Sequence, residues 1–190
     1  MIKVFKTKTV KILICTLLIF SLLSMTVSAS TWTINLTRHS QQMSLWCWAA
    51  CTQMFLEFYG YSITQGQIVG NTYSYPPPNN TGNVAQIRTA IHTTSNNNIL
   101  TETGATLTTS QVQAKISSGD TIIIRMLWNN GSGHFMMVDE YRSTPVPMLR
   151  LVDPLPNNTA RTLYAHSSLL SGVTIINAGT GQWTHYIIKS

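Results

Sequence analysis

The sequence predicts an α+β protein whose helices precede its strands. Two observations carry that expectation. Cys47, Cys51, Met54, Phe55 and Phe58 recur on one side of a segment at helical spacing. After residue 120 the texture changes to short runs rich in β-branched and apolar residues, bounded by Gly, Asn and Pro. Helical and strand patterns that are segregated, not alternating, argue against repeated βαβ units.

In chain order, the N-terminus reads as an export signal. Lys3, Lys6, Lys8 and Lys11 precede an apolar stretch from Ile12 to Leu23, and Val27-Ser28-Ala29 puts small residues at a signal-peptidase site. That stretch is shorter than the roughly 20 residues of a membrane span; a retained anchor is the alternative. A helix follows from about Ser44 to Tyr59, capped by Ser44 and ended by Gly60. Tyr73 to Gly82, with Pro76-Pro77-Pro78 at its centre, reads as an extended loop and as a wall for any cleft. Val84–His92 and Ser110–Ser118 are the next helices, the latter capped by Ser110 and stopped by Gly119. Strands are predicted at Thr121–Met126, Phe135–Val138, Met148–Val152, Val173–Ile176 and His185–Ile188. The expected organisation is a signal over 1–29 and one domain over 30–190, with a helical lobe at about 36–120 and a sheet lobe at about 121–190.

Composition narrows the function. Removing the leader takes four of the twelve basic residues and leaves eight against six acidic ones, a net charge of +2 instead of +6. No basic cluster remains, which gives no electrostatic case for nucleic acid. After cleavage the chain has no predicted membrane segment. Only Cys47 and Cys51 survive processing, too few for a disulfide framework, so the fold must rest on packing.

The most informative segment is Gln41-Gln42-Met43-Ser44-Leu45-Trp46-Cys47-Trp48-Ala49-Ala50-Cys51. It puts a thiol in the first turn of a helix, where free N–H groups and the helix dipole favour a thiolate. The Cys47 N–H and the amide of Gln41 would then flank a carbonyl under attack. Cys51, one turn deeper, reads as core. A Cys47–Cys51 disulfide, and a metal site using both thiols and a histidine, are the competing readings. Of the five histidines, His134 alone is delivered by a turn, Asn129 to Gly133, onto an apolar strand. Asp153, before Pro154, closes another apolar run.

Gln41 six residues before Cys47-Trp48-Ala49, with Gly133-His134 and Leu151-Val152-Asp153-Pro154 downstream, resembles the papain-like cysteine peptidases. It is most similar to their short bacterial branch, which includes bacteriocin-leader-processing peptidases and effector proteases. The resemblance covers most of residues 36–188. It implies a helical lobe packed on an antiparallel sheet lobe with the active site between them. It also implies that Cys47 is the nucleophile, His134 the proton carrier and Asp153 its orienting group. Gln41 and the Cys47 N–H would form the oxyanion hole, with Gln42 in reserve. The substrate would be a peptide or protein, and no cofactor or metal is implied. Acyl transfer on the same triad, or a silent binding module of the same fold, are the alternatives. No propeptide of papain length fits before Gln41, and no tryptophan matches the one that shields the third residue in papain.

Overall fold

The computed structural model of the chain describes residues 29–190; the predicted export signal lies outside them, save for Ala29. Eight strands, all paired antiparallel, form one sheet: β1 (Thr31–Thr33), β2 (Thr101–Gly104), β3 (Ile122–Trp128), β4 (Gly133–Arg142), β5 (Met148–Val152), β6 (Thr162–Ala165), β7 (Val173–Ile175) and β8 (Gly179–Lys189). The spatial order is β2-β8-β3-β4-β5-β6. β1 joins β4 at Glu140–Arg142, beyond the stretch that pairs with β3, and β7 joins the start of β8. The helices are α1 (Cys47–Phe58), α2 (Gln65–Thr72), α3 (Val84–Thr94), α4 (Thr109–Ser117) and α5 (His166–Ser171).

Period-two alternation sorts β3 and β4 onto two cores. Ile122, Ile124, Met136 and Val138 pack with Val112 and Ile116 of α4 and Leu169 of α5. Ile123, Phe135 and Met137 pack with Met54 and Phe55 of α1, Ile68 of α2 and Ile87 and Ile91 of α3. Both faces of the central strands are therefore covered, which is why those strands read as continuous apolar runs. The sheet is thus shared: α1, α2 and α3 lie on one face, α4 and α5 on the other.

Several boundaries differ from expectation. α1 starts at Cys47, not Ser44. Trp46 holds the N-cap position without a side-chain cap bond. Residues 43–46 instead make a turn closed by the Trp46 N–H to the Met43 carbonyl, and the Ser44 hydroxyl accepts from Asn79 Nδ2 at 2.9 Å. Helix α4 is capped by Thr108 in a reciprocal capping box with Gln111, so Ser110 is not its cap. Helix α2 was not predicted, because Ile68 and Val69 alone carry its buried apolar surface; its capping box, Thr64 with Gln67, was the available signal. β1, β2 and β6 were also missed, being only three or four residues long. Among the described residues no helix is long and apolar enough to cross a membrane.

Candidate active site

Cys47 lies at the first residue of α1. The helix makes its first internal bond only from the Ala50 N–H to the Trp46 carbonyl, so the preceding N–H groups face outward from the uncapped end. The residues on either side of Cys47 anchor the proline loop: Trp46 Nε1 donates to the Pro78 carbonyl at 3.0 Å, and Trp48 Nε1 to the Asn80 carbonyl at 3.1 Å. The loop then brings Thr81 and Gly82 over the helix end. A Cβ on Gly82 would stand 2.2 Å from the Trp48 ring, so only glycine permits this approach.

His134 is the second residue of β4, carried there by a hairpin that is tightly held. The Trp128 N–H donates to the Ser132 carbonyl at 2.8 Å, and Asn130 Oδ1 accepts from the Ser132 N–H at 3.0 Å. The imidazole lines the same cleft as the Cys47 sulfur and is near enough to lower the thiol's pKa. Its Nε2 contacts Asp153 Oδ1 at 2.7 Å, leaving Nδ1 for the thiol. Asp153 follows the end of β5, and each of its oxygens is occupied. Oδ1 also accepts from the Leu155 N–H at 2.9 Å, and Oδ2 from Asn158 Nδ2 at 2.9 Å. Asn158 in turn donates to the Ile176 carbonyl at 2.7 Å.

The electrostatics favour a charged pair. Burial pushes the Cys47 thiol up, but the hydrogen bond and charge of His134, with the N–H groups of Phe135 and Trp48, outweigh it and hold the thiol below its usual range. Burial alone would lower His134, yet bonding to Asp153 and to Cys47 raises it to about 9. Burial would likewise raise Asp153, but His134, Leu155 and Asn158 bring it below the usual carboxylate range. Cys51 is the opposite case: buried, and facing the charges of Cys47 and Asp153, its thiol is pushed well up. Both cysteines are free thiols.

Gln41 is buried in the same cleft, whereas Gln42 is exposed and its N–H bonds Gln65 Oε1. The Gln41 amide nitrogen donates to the carbonyls of Met43 at 3.0 Å and Ser44 at 2.8 Å. Its Oε1 is buried without a partner among the described residues. The other histidines are engaged elsewhere: His39 with Glu57, His92 with Thr101, His166 with the Leu107 carbonyl and His185 with Thr184. Among the described residues no three potential metal ligands gather into a group.

Two neighbours of the site were not found from sequence. Trp128 stacks on the His134 ring, with centroids 6.0 Å apart and planes 23° from parallel. The β3–β4 hairpin register places this ring on the imidazole, a neighbour the sequence reading, which sought a tryptophan over the third residue Asp153, did not name. Asn158 carried no motif, and only the fold shows that it holds Asp153. Gln41, Cys47 and His134 border a cleft of about 360 Å³ lined also by Leu45, Arg125, Gly133 and Leu155.

Residues 33–170 match the Peptidase_C39 like family. The chain belongs to that family. No curated protein matches the sequence. Solved structures agree on the fold. A protein from Bacillus anthracis described as a C39-like peptidase aligns at a TM-score of 0.59 and 8% identity, over 85% of this chain and 98% of its own. The peptidase domain of Streptococcus ComA, a bifunctional ABC transporter involved in quorum sensing, aligns at a TM-score of 0.55 and 13% identity, over 80% and 96%. A double glycine motif protease from an AMS/PCAT transporter, solved with its leader peptide, aligns at 0.53 and 12% identity, over 84% and 95%. At these identities the likeness is one of fold. The C39-like chain thus has the papain-like α+β architecture of the bacterial branch that its Cys segment resembles.

Proposed function

We propose that the protein is an exported cysteine peptidase that hydrolyses peptide bonds through Cys47, His134 and Asp153. The single observation that carries this reading is the convergence of thiol and imidazole in one cleft with a carboxylate on the imidazole, the His134 Nε2 to Asp153 Oδ1 distance being 2.7 Å and the thiol held below its usual range. In the resting enzyme the proton sits on the imidazole and the sulfur is a thiolate. The thiolate attacks the scissile carbonyl carbon, and the carbonyl π electrons move onto oxygen. The Cys47 N–H, free at the uncapped helix start, donates to that oxyanion. Gln41 supplies the second donor by exchanging its 3.0 Å bond to the Met43 carbonyl for the charged oxygen, a stronger acceptor. His134 then protonates the leaving amine, and the C–N bond breaks to give the acyl-enzyme. Water, deprotonated by the same imidazole, attacks the thioester and regenerates the thiolate. Asp153 keeps the ring oriented and stabilises its cationic form. An amine in place of water would give acyl transfer from the same intermediate.

The test is labelling of residues 30–190 with a thiol-reactive epoxide at neutral pH, beside a peptide-library cleavage assay. Label confined to Cys47 and lost in His134→Ala is expected, with cleavage abolished in Cys47→Ala while that variant melts near the parent temperature. Cleavage surviving intact in Cys47→Ala would refute the reading.

A further inference from the structure

Arg125 stands in the cleft wall without a counter-charge. All six acidic residues of the sequence have other partners. Glu57 pairs with His39, Asp120 with Lys115, Asp139 with Arg150 and Arg161, Glu140 with Arg142 and Arg150, and Asp153 with His134; Glu102 accepts from the Tyr186 hydroxyl. Among the described residues the Arg125 guanidinium has one bond, from Nη1 to Thr184 Oγ1 at 3.3 Å. A guanidinium presents five N–H donors in a planar fork, so most of its donors remain unused.

Its position is set by two strands. Arg125 pairs in register with Phe135 across β3–β4, on the same face as Phe135 and Gly133. The guanidinium lies across Gly133: a Cβ there would be 2.6 Å from Nη2. Glycine before His134 therefore makes room for the cation on the face of β4 that Phe135 shares. Arg125 lines the same cleft as Cys47 and His134, so its charge borders the ground that a bound substrate would occupy.

We infer that Arg125 is a specificity-determining residue that reads a carboxylate on the substrate close to the cut. This rests on the peptidase reading above. The carboxylate is either an Asp or Glu side chain flanking the scissile bond or the terminal carboxylate of a short leaving segment. Both present the same planar pair of oxygens, which a guanidinium binds bidentately.

The experiment has two readouts on residues 30–190, in the parent and in Arg125→Gln and Arg125→Glu. The first is kcat/KM for quenched peptides that carry Glu, Gln or Lys at each position flanking the cut, with free or amidated C-termini. The parent should favour a carboxylate at a position flanking the cut by about tenfold over its amide. The preference should shrink at high salt, fall towards unity in Arg125→Gln and turn towards Lys peptides in Arg125→Glu. The position of the preferred acid, set against the free-terminus arm, tells the two sources apart. The second readout needs no turnover: the ratio of Cys47 alkylation rates by anionic iodoacetate and neutral iodoacetamide. That ratio should fall severalfold in Arg125→Gln. Equal rates for acid and amide peptides at every flanking position, an acid preference unchanged in Arg125→Gln, or a ratio indifferent to the substitution would overturn the inference. If the parent cleaves no peptide, the peptidase reading fails on its own, and the alkylation ratio alone decides whether Arg125 gathers anions at the thiol.

Discussion

The imidazole of His134 is surrounded by three groups: the Asp153 carboxylate bonded at one nitrogen, the Cys47 thiol in the same cleft and the Trp128 ring over its face. Burial lowers its pKa, but the carboxylate and the thiol outweigh that and raise it to about 9. A group raised on folding adds stability that is complete below its unfolded value near 6.5 and is lost as pH climbs through about 9. Asp153, lowered on folding, adds stability present above its unfolded value near 3.8 and lost as pH falls through its folded one. The pair is therefore fully charged across the neutral range, and the alkaline limb of kcat/KM should fall near pH 9. Asp153→Asn removes a cause that raises His134, so that limb should move to lower pH and kcat should drop by about tenfold or more. A pH–rate profile of the variant checks this; an unmoved alkaline limb would mean that Asp153 does not act through the imidazole. Asn158, which holds the other oxygen of Asp153, acts one step further out.

Helix α1 carries the proposed nucleophile at its open end and the core along its side, and the two roles separate cleanly within one turn. Cys47 is partly accessible, while Trp48, Ala49, Ala50 and Cys51 are buried. Cys51→Ser puts a hydroxyl into that apolar contact and should cost about 1–3 kcal/mol, or roughly 3–10 °C in melting temperature, with a smaller effect on kcat/KM. A thermal scan beside the kinetic assay decides it, and a large catalytic loss at unchanged melting would overturn it. The same helix explains what could be read in advance. Gln41, Cys47 and the apolar side of α1 lie within one short segment, so local spacing exposes them. His134 and Asp153 stand at the ends of apolar runs, where turn residues announce them. Trp128 and Asn158 gave no such signal: one reaches the site through hairpin register, the other through a loop that touches Asp153 only once β5 is paired. The start of α1 was misplaced because Ser44 is a good cap by type, yet Asn79 takes its hydroxyl.

The site straddles two packing units, so its geometry depends on how the chain from 34 to 41 is tied to the sheet. The Ile34 N–H donates to the Asp139 carbonyl at 2.8 Å, and the Gln41 N–H to the Pro154 carbonyl at 2.7 Å. Arg38 bridges the carbonyls of Asp153 and Leu155 at 2.8 and 2.6 Å, and Arg161 reaches the Leu36 carbonyl at 2.6 Å. These bonds carry the strap across the sheet and deliver Gln41 and Cys47 opposite Asp153. At the centre is Asp139, fully buried on β4, which pairs with Arg150 of β5 through both oxygens and with Arg161. Removing one member of a buried ion cluster leaves the others uncompensated, so Asp139→Asn should destabilise the fold by about 3–5 kcal/mol. Arg161 would lose its anchor to the sheet, and the Leu36 carbonyl would lose a well-placed donor. Urea unfolding measures the first effect. The second should appear under folding conditions as slower alkylation of Cys47, because a loosened strap misplaces the thiol relative to His134. A loss under 1 kcal/mol would mean that the cluster is screened like a surface pair, and that apolar packing alone sets how the helices meet the sheet.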